Sequence, residues 1–240
     1  MNKALAAHYR MRLKTGRTSI LTQSNGLNID SVFGKAGEQL SVTIQRSECA
    51  ICLINGEATV SIGNHSPILM GPRPDPFDHL PHVVLLSGEK KLTLTFKDRS
   101  LLIIATAPTR RTFPIRHIRP DGVRVYNRGQ ENWSRTVRLV CWSDNTEGEQ
   151  LLVGETVTPS GNWSSFPPHR HEIYCEGKEG PEEVPYEEAY FFQFTTPDGF
   201  GISRHFDEPQ TQDDALILRT NDLLHIQGGY CSPPAKFSVN

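Results

Sequence analysis

The stretch "GETVTPSGNWSSFPPHRHEIYCEG", residues 154–177, sets two histidines one residue apart, directly after two prolines. On a β-strand, residues i and i+2 point to the same face and lie about 7 Å apart along the chain. His169 and His171 would therefore project together, while Arg170 points away. Two imidazoles at this spacing can reach one metal ion, with metal–nitrogen bonds of about 2.1 Å. The stretch predicts a strand that presents half of a metal site.

A second stretch, "YEEAYFFQF" at residues 186–194, supplies a carboxylate in aromatic surroundings. Glu188 begins a run of mostly aromatic or apolar residues, and burying a bare carboxylate costs several kcal/mol. Glu188 must therefore be paired or bound to a cation, whereas Glu187 takes the opposite face of the strand and is solvated. A salt bridge to an arginine such as Arg204 is the alternative to a metal.

A fourth ligand is expected from a later strand that returns beside the first. Three residues carry suitable atoms: His205 in "GISRHF", His225 in "NDLLHIQGGY" and Cys231 in "GGYCSPP". The strand with His225 leads toward the Gly228-Gly229 bend, and a ligand just after the glycines is equally compatible with the pattern. The residues alone leave the choice open.

The composition is that of a turn-rich globular protein. Of 240 residues, 37% are apolar and 22% charged, with 19 glycines and 17 prolines, which is too apolar for a disordered chain. The formal net charge of −2 gives no basic field for nucleic acid and no polybasic patch for a membrane surface. Apolar runs such as "SLLIIATA" stop well short of a bilayer span. A small molecule is the expected partner, and self-association is left open.

Cysteine usage favours a reducing compartment, and we expect the cytoplasm. The chain has five cysteines, an odd and scattered number. Cys49 and Cys52 form a C-x-x-C in the strand-like "SECAICLINGE", where alternation points the thiols to opposite faces, so we expect core cysteines. The first 17 residues carry five Lys or Arg and no acid. That pattern is typical of a transit peptide or, more commonly, of a poorly ordered terminus, which we predict for residues 1–17.

Short apolar strands separated by turns recur along the chain, and helical periodicity is weak. This pattern predicts an all-β protein built as a sandwich or barrel. Asn55-Gly56, between two alternating runs, predicts a two-residue β-hairpin. The segment from Arg110 to Asp121 is basic, contains prolines and lacks alternation, so it predicts a linker. The linker would separate two all-β domains, residues 18–110 and 111–240.

Three stretches also resemble a known family. "GETVTPSGNWSSFPPHRHE" (154–172), "EEAYFFQFTTPDGFGISRHF" (187–206) and "NDLLHIQGGY" (221–230) resemble the 5-deoxy-glucuronate isomerases of myo-inositol catabolism. These enzymes are relatives of the 4-deoxy-5-ketouronate isomerases of pectin breakdown. Looser agreement is present in "RPDGVRVYNRGQENWSRTVRLV" (119–140). The resemblance covers most of the second half of the chain and the first half only in outline.

The resemblance implies a bicupin, two tandem β-barrels of the double-stranded β-helix type, of which the second holds a divalent metal and the first is structural. Matched position by position, the metal ligands are His169, His171 and Glu188. Where the family has a histidine as fourth ligand, in a "GYHP"-like string, this chain has Cys231. A thiolate would favour zinc, with manganese as the alternative. The family also continues for another strand, so we expect a shortened second barrel.

The implied reaction is the aldose–ketose isomerisation of 5-deoxy-D-glucuronate to 5-dehydro-2-deoxy-D-gluconate, which moves a proton between adjacent carbons. The candidates for the proton shuttle are Glu172, Tyr190 and His205. The substrate carboxylate calls for a planar bidentate partner, for which we expect Arg204, with Arg128 behind it.

Two other functions are compatible with the same residues. A His₂–Glu site can hold iron in an oxygenase, which would need dioxygen for turnover. A degenerate or metal-free bicupin would bind a sugar acid or a partner chain without catalysis. Stoichiometric metal in the purified protein would count against that second alternative.

Overall fold

The computed structural model describes residues 4–23, 26–142, 148–177, 180–183, 185–208 and 210–237. The regular structure of this part of the chain consists of strands and two 3₁₀ turns. The strands in chain order are β1 (Ala6–Arg10), β2 (Gly16–Leu21), β3 (Asn28–Gly34), β4 (Gln39–Ile62), β5 (Ile68–Arg73), β6 (His82–Phe96), β7 (Ser100–Pro108), β8 (Arg116–Ile118), β9 (Arg124–Arg128), β10 (Arg135–Cys141), β11 (Val153–Val157), β12 (Cys175–Gly177), β13 (Gly180–Glu183), β14 (Glu188–Phe191), β15 (Phe200–Phe206), β16 (Asp213–Arg219), β17 (Asp222–Ile226) and β18 (Tyr230–Phe237). Single 3₁₀ turns lie at Pro120–Gly122 and Glu131–Trp133. Within the described ranges, no helix has the length and hydropathy to cross a membrane.

The chain divides into two compact units, which we call the N-unit and the C-unit. The N-unit comprises Leu13–Tyr126 and Arg138–Glu155. The C-unit comprises Met1–Arg12, Asn127–Val137 and Thr156–Asn240. The chain passes between the units within β9, β10 and β11.

These boundaries differ from the predicted ones in two places. The predicted linker, residues 110–121, belongs to the N-unit and contains β8, which pairs with β6. The predicted poorly ordered terminus, residues 1–17, contains β1, which is antiparallel to β17 with Ala6 opposite Ile226. Both segments were misassigned because their partners are distant in sequence, so local alternation carries little information about them.

The N-unit is built on a sheet with strand order β2-β3-β7-β4-β6-β8, and β5 adds to β4. β4 and β6 are antiparallel, with Val42 opposite Leu92 and Ile51 opposite Val84. These four side chains lie in a large cluster of fully buried aliphatic residues. Burial of each such side chain stabilises the fold by about 1.5–3 kcal/mol, so this sheet is the main apolar core of the unit.

The predicted hairpin at Asn55-Gly56 is wrong. β4 runs through both residues, and Leu53 and Ala58 pair with His82 and Phe96 of β6 instead of with each other. Gly56 has a φ of +94°, and a Cβ there would meet the Ser100 hydroxyl oxygen at 2.3 Å. Asn-Gly therefore makes a corner inside a long strand, where only glycine combines this φ with so close an approach.

The two N-unit cysteines of the C-x-x-C behave as predicted. Cys49 is fully buried in the large aliphatic cluster, whereas Cys52 packs against a second cluster that includes Leu85 and Val140. The thiols therefore face opposite sides of β4. Burial raises the pKa of Cys49, so its thiol is protonated and belongs to the core.

The C-unit contains smaller sheets with strand orders β1-β17-β14, β16-β15-β18 and β12-β13. β14 and β17 are antiparallel, with Glu188 opposite Ile226 and Tyr190 opposite Leu224. The apolar cluster of this unit includes Phe192, Leu224 and Cys231, with Tyr190 packed against it. The face of β14 that carries Glu188 and Tyr190 therefore points into the interior of the unit.

Candidate metal centre

His169 and His171 lie in a segment that a single β-bridge holds in place. The His169 N–H donates to the Cys231 carbonyl at 3.2 Å, and the Cys231 N–H donates to the His169 carbonyl at 2.8 Å. The residues flanking His169 are not in a strand, so the predicted strand is wrong here. The two rings nevertheless lie side by side, with centroids 5.1 Å apart and planes at 81°.

β14 brings Glu188 to this histidine pair. One potential ligand atom from each of the three residues lies within 4.8 Å of the other two. Glu188 Oε1 accepts a hydrogen bond from the Tyr190 hydroxyl, while Glu188 Oε2 is buried and has no hydrogen-bond partner in the described part of the chain. A buried oxygen left without a donor is costly. A cation between the carboxylate and the two imidazoles would remove that cost.

The donor set suits a divalent transition metal. Two imidazole nitrogens and one carboxylate oxygen are common zinc ligands, and the same atoms also suit manganese. Burial lowers the pKa of His169, an effect that Glu188 opposes and that His171 and Arg135 reinforce. The neutral imidazole is the form that binds metals, so this environment favours binding.

The structure does not bring the Cys231 thiol into this group of ligand atoms. Cys231 is buried, and its hydrogen-bond partner is Ser203. Burial, together with the negative charge of Glu188, raises the pKa of the thiol to about 12, so the sulfur is protonated here. Its role as fourth ligand stays a prediction.

His225, another candidate for the fourth ligand, lies on the wrong face of its strand. It is opposite Ala189 of β14, whose side chain points away from the side that carries Glu188. Its Nε2 is 2.8 Å from Glu187 Oε1. Glu187 lies on the face opposite Glu188 and is exposed, as predicted, and its carboxylate also pairs with His225.

Comparison with known proteins assigns the chain to a family. The sequence model of the KduI/IolB family matches residues 7–237. The chain belongs to the KduI/IolB family. It is 30% identical over 193 residues to the 5-deoxy-glucuronate isomerase of Shouchella clausii, covering 78% of this chain and 68% of that protein. The enzyme of the same name from Lacticaseibacillus casei is 30% identical over 189 residues, with 78% and 68% covered.

Solved structures agree with the assignment to the KduI/IolB family. A crystal structure of an IolB-like protein from Salmonella typhimurium LT2 matches with a TM-score of 0.86 at 26% identity, covering 99% of this chain and 88% of that one. A deletion mutant of Bacillus subtilis oxalate decarboxylase matches with a TM-score of 0.60 at 8% identity, covering 98% and 76%, which concerns the fold alone. The predicted all-β cupin fold is confirmed, and family and relatives together make the chain an isomerase.

The proton-shuttle candidates of this KduI/IolB chain have three different environments. Glu172 is exposed, and its Oε1 accepts a hydrogen bond from the Gly229 N–H at 2.7 Å, so the carboxylate stabilises the Gly228-Gly229 bend. The Tyr190 hydroxyl bonds to Glu188, and burial raises the pKa of Tyr190 well above its usual value. Tyr190 therefore stays protonated and positions the predicted ligand. His205 is buried, with Nε2 2.9 Å from the Ser203 hydroxyl oxygen.

His205 keeps one ring nitrogen available. Its Nδ1 is buried and makes no hydrogen bond to any residue that the structure describes. Burial lowers the pKa of His205 to about 4, although Asp214 opposes the effect, so the ring is neutral near pH 7. His205 is opposite Cys231 in the β15–β18 pair, and both side chains are on the buried face.

The arginine predicted to hold the substrate carboxylate is elsewhere. Arg204 binds Asp213 through two hydrogen bonds of 2.7 Å, on the face of β15 opposite Ser203 and His205. That bidentate pair also rules out the alternative salt bridge between Arg204 and Glu188. Arg128 is exposed, but its charge acts on Arg135, whose charge in turn acts on His169.

Arg135 is the functional candidate that sequence reasoning missed. It begins β10 and stacks on Trp133, with the guanidinium carbon 5.8 Å from the ring centroid. The loosely matching stretch 119–140 contains this arginine, but no residue spacing links it to the histidine pair. Its position depends on how the chain folds back, which a local pattern does not encode.

Proposed function

We propose that this isomerase interconverts 5-deoxy-D-glucuronate and 5-dehydro-2-deoxy-D-gluconate with a divalent metal held by His169, His171 and Glu188. Zinc is the proposed metal, with manganese as the alternative for the same donor set. The substrate is proposed from the names of the curated relatives. The observation that carries the metal is the buried Glu188 Oε2, which has no donor among the described residues and lies beside two imidazoles.

The reaction needs polarisation of a carbonyl and a proton carrier between adjacent carbons. When bound, a divalent cation supplies Lewis-acid polarisation of the carbonyl oxygen. Tyr190 holds the Glu188 carboxylate through its hydroxyl. We assign the proton transfer to His205, because its neutral ring has a buried nitrogen without a described partner, whereas Tyr190 and Glu172 are engaged with Glu188 and Gly229.

Ser203 supports this assignment of His205. The Ser203 hydroxyl lies 2.9 Å from His205 Nε2, so it fixes the orientation of the ring and leaves Nδ1 for the substrate. A positioned general base typically contributes a factor of about 10²–10⁴ to the rate. Replacing His205 by Gln should therefore lower kcat by at least about 100-fold while the metal content stays unchanged.

The proposed function is tested by incubating the full chain with 5-deoxy-D-glucuronate and following the ketose by NMR. Metal content is measured on the same sample by elemental analysis, before and after a chelator. Turnover that stops with chelation and returns with zinc or manganese supports the proposal. Failure of the metal-loaded chain to form the ketose would exclude it.

A second function, sugar-acid binding without catalysis, is favoured by the position of Cys231. Its sulfur lies outside the group of ligand atoms, so the site has three donors where the resemblance implies four. Under this alternative, the protein as purified would contain no stoichiometric metal and would still bind the acid. Elemental analysis together with calorimetry distinguishes the two functions.

A further inference from the structure

Arg135 is a half-buried arginine that forms no ion pair with any residue that the structure describes. Its Nη1 donates to the Trp133 carbonyl at 3.3 Å, which uses one of the five guanidinium donors. Two other arginines of the C-unit have carboxylate partners: Arg204 binds Asp213, and Arg170 lies 3.6 Å from Glu208. Arg135 therefore has donors left for an anion that no residue in the described ranges supplies.

The surroundings of Arg135 connect its segment to the one that carries the histidine pair. The Trp133 ring, on which the guanidinium stacks, contacts the Phe166 ring with centroids 6.1 Å apart, and Phe166 lies three residues before His169. The Trp163 N–H donates to the Asn132 carbonyl at 2.7 Å. These contacts fasten the 131–135 segment to the segment that carries the predicted ligands.

The charge interactions of Arg135 also indicate that it lies near the predicted metal ligands. The charge of Arg135 acts on His169 and on Tyr190, so the guanidinium is within electrostatic reach of the metal centre. Burial and the positive charge of Arg128 both lower the pKa of Arg135, which remains cationic at neutral pH. The charge of Arg128 thus acts on Arg135, and a negatively charged ligand bound to Arg135 would offset that repulsion.

We propose that Arg135 binds the carboxylate of the sugar-acid substrate, with Trp133 as the platform that orients its guanidinium. This inference rests on the proposed function for the identity of the substrate. A planar guanidinium forms two parallel hydrogen bonds with a carboxylate, and stacking on an aromatic ring restricts the plane in which it does so. Arg135 would therefore distinguish acids from neutral sugars of the same size.

The test separates binding from turnover by using a ligand that does not react. The C1-reduced form of 5-deoxy-D-glucuronate keeps the carboxylate but has no carbonyl to isomerise, and its methyl ester lacks the negative charge. Calorimetry with both ligands is performed on the metal-loaded full chain and on Arg135→Gln and Arg135→Lys. Arg99→Gln is the matched control, because Arg99 also stacks on an aromatic ring, Phe33, at 5.3 Å but belongs to the N-unit.

The native protein and Arg99→Gln should bind the acid roughly 10- to 100-fold more tightly than the ester, the usual size of a charged hydrogen-bonding contribution. Arg135→Gln should lose that preference and bind the ester as the native protein does, which also verifies that the site is folded. Arg135→Lys should keep part of the preference, because it retains the charge without the planar fork. A preference that persists in Arg135→Gln, or that is absent from the native protein, would overturn the proposal.

Turnover of 5-deoxy-D-glucuronate is measured in parallel, so that the two proposals fail separately. Loss of acid preference in Arg135→Gln without isomerisation by the native chain would reject the isomerase and keep the carboxylate site. Isomerisation by the native chain with unchanged acid preference in Arg135→Gln would reject Arg135 and keep the enzyme.

Discussion

The N-unit and the C-unit both bury charged groups within β-structure, but they satisfy those groups differently. In the N-unit, the Arg73 guanidinium is fully buried, with Nη2 2.7 Å from Glu155 and Nη1 donating to the Leu53 carbonyl at 2.5 Å. In the C-unit, Glu188 and His205 each keep a buried atom without a hydrogen bond to any described residue. Groups whose partners come from the chain hold the fold together, whereas a buried atom without a described partner calls for one from outside the chain, such as a water, an ion or a ligand. The N-unit also has such an atom, Arg138 Nε, but that guanidinium already donates to the carbonyls of Pro76, Phe77 and His79.

The sharpest test of this difference is Arg73→Ala in the N-unit. The substitution removes the side-chain donor to the Leu53 carbonyl and one of two arginine donors to Glu155 and to the His79 carbonyl, since Arg138 also contacts both. Breaking a buried ion pair costs about 3–5 kcal/mol in the free energy of unfolding, and we expect the lower end of that range because Arg138 still pairs with Glu155. Urea denaturation measures the loss, and the KM of the remaining folded protein should be unchanged. A change in KM without a change in stability would contradict the assignment of Arg73 to the fold.

The next effect concerns the pH dependence of stability, measured on metal-free protein. The pKa of His205 is about 4 in the folded state against an ordinary value of 6.5, so the unfolded chain binds more protons between these values. Stability due to the neutral ring is therefore complete above about pH 6.5 and is lost as the pH falls toward 4. The difference corresponds to about 3 kcal/mol.

His205→Gln should remove this part of the acid sensitivity. Denaturation curves between pH 7 and pH 4 should decline less in the variant than in the native protein. The N-unit provides the comparison: His82 also has a pKa lowered to about 4 by burial, but its side chain is more exposed, so His82→Gln should have a smaller effect. Equal declines in native protein and His205→Gln would show that the buried ring does not titrate as described.

Glu188→Gln addresses the metal directly. Loss of a neighbouring group that only orients a ligand typically lowers metal affinity 10- to 100-fold, so loss of the ligand itself should cost at least about 100-fold. Competition with a chelator measures the affinity. Glu187→Gln is the control, because this adjacent carboxylate bonds His225 on the other face of β14. Without metal, Glu188→Gln should be no less stable than the native chain, since it removes a buried charge.

Much of the fold could be predicted from the sequence, because alternating apolar residues specify strands and the motifs resemble a family. The sequence also predicts the three residues whose ligand atoms cluster, His169, His171 and Glu188, although His169 makes only an isolated bridge and not a strand. The local pattern at Asn55-Gly56 predicts a hairpin, whereas the chain forms a corner within one long strand there, because Ser100 lies close to Gly56.

The arginines illustrate the same limit for the site. Arg204 shares the conspicuous "GISRHF" motif with His205, yet strand alternation points it outward to Asp213. Arg135 has no motif of its own, and the fold places it near the histidine pair through Trp133 and Phe166. Residue type and spacing predicted that the site needs an arginine, whereas which arginine lies near the site depends on contacts between segments distant in sequence.

The smallest effect is expected for Tyr190→Phe, which removes the hydroxyl bonded to Glu188 Oε1 and leaves the ring in its apolar cluster. Without that donor the carboxylate is less restrained, and metal affinity should fall about 10-fold, the lower end of the range for groups that orient a ligand. Tyr186→Phe is the matched control, because its ring contacts His171 at 5.6 Å but the structure records no hydrogen bond from its hydroxyl to the three predicted ligands. If both variants bind metal equally, the Tyr190 hydroxyl has only a structural role, like that of Arg73 in the N-unit. In that case one oxygen of the Glu188 carboxylate, Oε1, would serve the fold, and the other, Oε2, would serve the metal.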